Sequence, residues 1–386
     1  MSVCAHAGWP RRSTWALIGI LSVAPLLYPL WLALTSRRRA TRAPPALGEP
    51  PALSVIVPAY HEREVIASKV EDVRRNGYPG ALEVIVVTED PETAEAARGT
   101  GARVLQAQER LGKAEAVNRG IAASTRPIVV ITDADTRFEP GSLEALARWF
   151  GDPDVSAVAG EKRVEGSTEQ AYWRFESWVK RRESLRGTTI GVVGELAAVR
   201  RSSFRRLPPD VIVDDLWMGL DVIEQGGAVC YEPQATAVER HDPGLWAGWE
   251  RRTRTVAGLL DLLWRRRGLL VPWRSPVAVE LWGHKLARAV FGPVAHALLI
   301  AQALACVTRS RLAVAFVVGH LAGLAASARP RSTFPERLAA QLVFLQATGL
   351  GGIVRYLRGD RPATWPKEER GGTSALVFSR SPAGRD

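Results

Sequence analysis

The chain has 386 residues, 46% of them hydrophobic, and carries 51 Lys+Arg against 40 Asp+Glu for a formal net charge of +11. Its three cysteines, Cys4, Cys230 and Cys306, lie far apart, which argues against a disulfide framework and against cysteine metal ligation. Arginine-rich flanks beside long apolar runs assign the basic excess to a membrane surface, and no nucleic acid partner is expected.

The apolar runs come first and last. No charged residue occurs from Ser13 to Ser36, a length that crosses a bilayer. Arg11 and Arg12 precede this run, and Arg37, Arg38, Arg39 and Arg42 follow it. The heavier basic flank after the helix predicts a cytoplasmic catalytic part behind a membrane anchor, residues 1–36. A cleaved signal peptide is the rival reading, but the run is long and the basic cluster behind it acts as a stop. Residues 37–52, rich in Arg, Ala and Pro, read as a linker.

From Leu53 strand and helix patterns alternate. Strands are expected at Leu53–Val57, Leu82–Val87, Ala102–Leu105, Ile128–Thr132 and Val155–Ala159. Helices are expected at Glu62–Arg75, Glu92–Arg98, Lys113–Ala122 and Pro140–Phe150. This alternation predicts an α/β domain with a doubly wound, mostly parallel sheet over residues 53–243. Gln170–Arg186 reads as a long aromatic and basic helix, and Leu216–Glu224 as another. Residues 244–288 hold Trp246, Trp249, Trp264 and two Arg clusters, the pattern of amphipathic helices at a bilayer interface. Three uncharged runs follow within 289–356. Ala289–Thr308 and Leu312–Ala328 read as a transmembrane hairpin, and the Gly-rich Leu338–Val354 as re-entrant or interfacial. Residues 357–386 then form a cytoplasmic tail.

The chemistry concentrates in two acidic pairs. Ile128-Val129-Val130-Ile131-Thr132 is a buried-strand pattern that ends in Asp133-Ala134-Asp135. Carboxylates at i and i+2 point the same way from an extended segment, and they repel unless a cation lies between them. Mg²⁺ or Mn²⁺ shared with a substrate diphosphate satisfies that requirement. The second pair, Asp214-Asp215, follows Val211-Ile212-Val213. It reads either as helix-start acids or as a general base.

In combination these blocks resemble the membrane-embedded family 2 glycosyltransferases, which have the GT-A nucleotide-sugar fold. The resemblance runs from about Leu53 to about Gly258. Ser54-Val55-Ile56-Val57-Pro58-Ala59-Tyr60-His61-Glu62 is similar to the opening strand and nucleotide-binding turn, which implies donor contacts from Pro58, Tyr60 and Glu62. Val86-Val87-Thr88-Glu89-Asp90 stands where the family has a strand ending in acids, which implies a base contact through Glu89 or Asp90. Gly112-Lys113 with Asn118 resembles the G-K-x-x-A-x-N block, implying that Lys113 approaches the nucleotide sugar and Asn118 braces the turn. Asp133 and Asp135 match the metal motif. Gly194-Glu195 resembles the acceptor-side segment, to which Asp214 also belongs, and Asp215 matches the general base. The family's polymerising members carry Q-x-x-R-W, and the matching stretch here is Arg251-Arg252-Thr253-Arg254-Thr255. Arg254 keeps the implied diphosphate contact, whereas Thr255 replaces the acceptor-stacking Trp.

The resemblance thus implies a multi-pass cell-membrane enzyme. It would be an inverting hexosyltransferase that uses a metal and a nucleotide-sugar donor, a UDP-sugar first, on a lipid or glycan acceptor. A non-catalytic nucleotide-sugar-binding scaffold and a processive polysaccharide synthase are the alternatives.

Overall fold

The computed structural model describes residues 11–36, 43–46, 48–110, 112–165, 170–239, 244–308, 310–327 and 334–362. The Arg37–Arg42 cluster and all but the first residues of the 357–386 tail lie outside that set. Helix α1 (Arg11–Thr35) precedes the α/β domain. In the domain come β1 (Leu53–Pro58), α2 (Ile66–Arg74), β2 (Leu82–Thr88), α3 (Pro91–Arg98), β3 (Arg103–Gln106), α4 (Lys113–Ala123) and β4 (Ile128–Ile131). They are followed by β5 (Thr136–Phe138), α5 (Ser142–Arg148), β6 (Val155–Val164), α6 (Gln170–Ser184), β7 (Ala197–Arg200), α7 (Asp214–Glu224) and β8 (Ala228–Glu239).

The eight strands form one sheet in the order β3-β2-β1-β4-β7-β6-β8-β5. Pairs β1/β2, β1/β4, β2/β3 and β6/β8 are parallel, and β4/β7, β6/β7 and β5/β8 are antiparallel. The sheet is therefore mixed, with a parallel half built from the motifs legible in the sequence. Strands β1 and β4 are neighbours although β2 and β3 intervene in the chain. The crevice beyond their carboxyl ends is a topological switch point, where such sheets bind ligands. Every residue of β4 is buried, which explains its unbroken β-branched run.

The expected helix from Glu62 begins instead at Ile66. The Glu62 carbonyl accepts from the amides of Val65 and Ile66, so a turn precedes the helix. The strand expected to end at Ala159 continues to Val164, and β5, β7 and β8 were not anticipated. Glu161 and Arg163 interrupt the apolar pattern of β6, and the short β5 and β7 are defined by pairing rather than by composition.

Helix α4 approaches the sheet closely at Gly120. A Cβ there would come within 2.3 Å of Ile56 Cγ2 and 3.2 Å of Val87 Cγ2. Gly120→Val should therefore destabilise the domain by ~1–3 kcal/mol or more, since overpacking outweighs the helix propensity gained by removing glycine. A thermal melt in detergent that matches wild type would contradict this packing.

Beyond the domain, α8 (Gly244–Arg265) leads to α9, a 29-residue helix over Ala278–Cys306 with wide π-type turns across Leu281–Phe291. Then come α10 (Arg311–Ser327) and α11 (Phe334–Leu357). Among the described residues, α9 is long and apolar enough to cross a membrane, and Pro25–Thr35 and Arg311–Ala325 are shorter apolar stretches. Helix α11 lies along α8. A Cβ on Gly351 would come within 2.9 Å of Trp249 and Thr253, and one on Gly352 within 2.4 Å of Val256. Arg355 adds a 2.7 Å ion pair to Glu250.

Candidate active site

The carboxyl end of β4 turns sharply into β5, and hydrogen bonds fix that turn. Thr132 Oγ1 donates to the Glu195 carbonyl at 2.9 Å, and Thr136 Oγ1 donates to the Asp133 carbonyl at 3.0 Å. Beneath it lies Lys69, which is 1% exposed. Its ammonium donates to the Thr136 carbonyl at 2.9 Å and stands 3.6 Å from the centroid of Phe138. Burial pulls the Lys69 pKa down to about 8, against the opposing pull of Asp72, Asp133 and Asp135.

Lys113, the first residue of α4, places its ammonium 2.6 Å from Asp133 Oδ1. Gly194 makes room for it, because a Cβ there would lie 3.0 Å from Lys113 Nζ. Burial pushes the Asp133 carboxyl up to about 6, with Lys113 limiting the rise and Glu195 and Asp135 adding to it. Burial also opposes the charge on Lys113, but Asp133 and then Asp214 hold its pKa above the ordinary lysine value.

Asp214 and Asp215 open α7, the helix start that is one of the two readings of this pair. Their directions therefore differ by a helical step of about 100°. Burial, followed by the Asp214 charge, pushes Asp215 up to about 6, and Glu195 adds to this. One Asp215 oxygen accepts from the Leu216 amide at 2.7 Å. Arg254 on α8 feels Asp214 electrostatically, and its Nε donates to the Pro362 carbonyl at 3.0 Å. Lys113, Asp133, Asp135, Glu195, Asp214, Asp215 and Arg254 thus form one electrostatic cluster.

The first two blocks meet at the neighbouring strand ends. Pro58 ends β1 opposite Val87. The Tyr60 ring has Arg110 at 4.7 Å and His61 at 4.1 Å, the latter with φ of 53°. The Glu62 amide donates to Thr93 Oγ1 at 2.9 Å, which staples the turn after β1 to that after β2. Asp90 caps α3, accepting from the Thr93 amide at 3.1 Å and from the Thr93 hydroxyl. That structural duty separates it from the adjacent, half-buried Glu89. Asn118 donates to Glu115 within its own block at 3.1 Å. It clasps the Leu207 backbone with two 2.9 Å hydrogen bonds.

Sequence reasoning missed Lys162 on β6, which is 1% exposed and bonded to both Glu195 and Glu239. Glu239 in turn pairs with Arg251 at 3.2 Å. Burial opposes ionisation of Glu195, but Lys162 overcomes it and holds the carboxyl at about 2. The signal for Lys162 was a lone cation in register with Val158 and Val164 on the inward face of a strand. Thr255, in the place of a stacking Trp, is exposed and bonds the Arg251 carbonyl at 2.8 Å. A cavity of about 610 Å³ lies at the opposite, amino end of β4, lined by Ile121, Arg126, Phe204 and Arg206, away from these carboxylates.

Among the described residues no three His, Cys, Asp or Glu side chains form a metal cage. Two aspartate oxygen donors at a strand end do suit a hard divalent ion whose remaining ligands come from a diphosphate. The ion pair between Asp133 and Lys113 marks the same position as one that favours a cation.

This arrangement suits a transferase that handles a nucleoside diphosphate. Residues 54–207 match the family model described as Glycosyl transferase family 2. The structure is similar to that of a mannosyltransferase from Pyrobaculum calidifontis in complex with GDP-Man and Mn²⁺. That similarity has a TM-score of 0.72 at 27% identity, over 90% of this chain and 100% of that one. A dolichyl-phosphate hexose transferase of Haloferax volcanii is 33% identical over 115 residues, 30% of this chain and 50% of that protein. A poly-beta-1,6-N-acetyl-D-glucosamine synthase of Staphylococcus aureus is 24% identical over 230 residues, 55% of this chain and 56% of that protein. The chain therefore spans only about half the length of these two relatives. It carries a glycosyltransferase family 2 domain with a GT-A-like fold, and it is a glycosyltransferase.

Proposed function

We propose that the protein is a membrane-bound inverting hexosyltransferase that transfers one sugar from a nucleoside-diphosphate sugar to an amphiphilic acceptor. The observation that carries this reading is the convergence of Asp133, Asp214 and Asp215 around Lys113, with Asp135 beside Asp133, at the switch point of the sheet. GDP-Man with Mn²⁺ is the first donor to test, because the structure similar over nearly the whole chain holds that pair. The uridine donors expected from the sequence are the comparison.

In the proposed reaction the acceptor hydroxyl oxygen bonds to the anomeric carbon while the bond from that carbon to the diphosphate breaks. Asp215 takes the hydroxyl proton, and the nucleoside diphosphate leaves with the bonding pair. Lys113 and Arg254 would hold the departing charge, and Glu89 would meet the base. A divalent ion held by Asp133 and Asp135 would offset the diphosphate charge. Thr255 in place of an aromatic platform favours single transfer over polymerisation. The α9 span, the shorter apolar helices and the basic flank after α1 support a multi-pass arrangement with the catalytic domain in the cytoplasm.

The test is transfer of labelled mannose from GDP-Man into membrane lipid extract by purified protein with Mn²⁺. Product with GDP-Man supports the reading. No product across guanosine and uridine donors, with the protein folded, would reject it.

Asp215 also sets a pH expectation. A base with a pKa of about 6 in the free enzyme must be deprotonated to act, so kcat/KM should fall below pH ~6 and level off above it. A rate that rises as pH drops through 6 would remove Asp215 from this role.

A further inference from the structure

The cavity at the amino end of β4 takes no part in the chemistry above. Its volume of about 610 Å³ is in the range of pockets that hold a small organic ligand. Its walls come from the last turns of α4, the residues just before β4 and the turn after β7. Ile121, Pro127 and Phe204 give it an apolar side, and Arg126, Arg201 and Arg206 also line it, with no carboxylate among the lining residues.

One of the three arginines is already engaged. Arg206 bonds both Glu115 oxygens, at 2.9 and 3.0 Å. The half-buried Arg126 differs, because its Nε is buried and has no hydrogen-bond partner among the described residues. A charged donor left dry and unbonded is costly, so this nitrogen marks a place for an acceptor. Arg201 stands beside it, since its amide donates to the Pro127 carbonyl at 2.8 Å. Among the described residues the Arg201 guanidinium has no ion-pair partner.

The nearby negative groups are already matched. Glu83 accepts from Ser54 Oγ at 2.7 Å and lies 3.4 Å from Arg103. The carboxyl end of α4 also points toward the cavity, and its pole of about half a negative charge opposes an anion. Arg103 donates to the Ala123 carbonyl at 2.7 Å and offsets that pole, while Arg126 and Arg201 each carry a full positive charge.

We infer that this cavity binds a small organic phosphate, with a monoester head between Arg126 and Arg201 and an apolar body against Ile121, Pro127 and Phe204. A phosphate monoester carries about −1.5 to −2 charges at neutral pH, which matches two guanidiniums better than a carboxylate does. Guanidinium forks also fit its oxygens. Asp133 follows the other end of β4, and α4 runs from the cavity at Ile121 back to Lys113 in the carboxylate cluster. The site is therefore separate from the one proposed for the donor, and it does not depend on the transferase reading. The ligand is bound without any bond being made or broken.

Calorimetric titration of the purified full chain in neutral detergent with chelator tests this, with phenyl phosphate, inorganic phosphate, benzoate and phenol as probes. Phenyl phosphate should saturate one site and bind at least about tenfold tighter than each of the other three. Arg201→Gln, at an exposed position, should weaken it about tenfold, with the melt and the binding of GDP with Mn²⁺ as in wild type. Arg126→Gln should weaken it at least as much, and its melt shows whether the loss is one of contact or of folding. A repeat with Mn²⁺ and saturating GDP should leave phenyl phosphate affinity unchanged. Displacement by GDP would put the phosphate in the donor pocket and overturn the inference. So would benzoate or inorganic phosphate binding as tightly, a lack of saturable phenyl phosphate binding, or wild-type affinity in Arg201→Gln.

Discussion

Asp215→Asn is expected to lower transfer by ~10²–10⁴-fold while leaving donor binding within about twofold. The substitution is nearly isosteric and keeps the carbonyl oxygen that accepts from the Leu216 amide, so α7 should start as before. What disappears is the proton acceptor. The same change should raise stability at pH 7.5. Burial and Asp214 hold the folded Asp215 pKa above its unfolded value, so the ionised form is destabilising. Between the unfolded carboxylate range near 4 and the folded value of about 6, the native state binds the extra proton. Stability is then fullest below that window and falls as pH rises through it. Asparagine is always neutral and should melt a few degrees higher at pH 7.5, with the advantage shrinking toward pH 4. A variant that loses donor binding and turnover equally would make Asp215 a donor contact. Asp214→Asn should cost less transfer than Asp215→Asn. The reverse order, with binding kept, would move the base to Asp214.

Asp135→Ala should weaken Mn²⁺-dependent binding of GDP by at least ~10²-fold, because in the proposed site the ion would take Asp133 and Asp135 as its protein ligands and would not keep its position with one. Chelation of the metal should produce the same loss in wild type. Weak, metal-independent nucleotide binding should survive in the variant, since Lys113 and Arg254 supply cations of their own. Calorimetric titration of GDP with Mn²⁺ and with chelator reads both effects. Wild-type affinity in Asp135→Ala with Mn²⁺ present would show that the ion, if used, is held elsewhere.

The parallel half of the fold was readable because each of its strands is a short apolar run that ends in a chemical signature. Pro58 closes β1, Glu89 and Asp90 close β2, and Asp133 closes β4. The other half was less legible. Strand β7 has only four residues, and its place between β4 and β6 is a tertiary fact that local composition does not carry. The site divided in the same way. Residues joined by short-range motifs, such as Asp133 with Asp135 or Gly112 with Lys113, could be read in order. Lys162 and Glu239 could not, because their meeting with Glu195 and Arg251 depends on three strand ends and a helix converging. The pairing of Asp214 with Asp215 was visible, and so was their place at a helix start as one of two readings, although the apolar run before them also looked like a strand.

The contact of α11 with α8 bears on when this enzyme becomes active during its own synthesis. Arg254 is tethered to Pro362, 108 residues further along the chain, and α8 is wedged against Gly351 and Gly352. The sheet, with the turn at Asp133–Asp135 and the start of α7 at Asp214–Asp215, is complete long before those residues leave the ribosome. On the proposed reading a nascent chain would therefore hold a folded but idle nucleotide pocket, with Arg254 unsecured, until α11 docks on α8. Commitment to react with donor would thereby be tied to docking of α11 rather than to folding of the sheet.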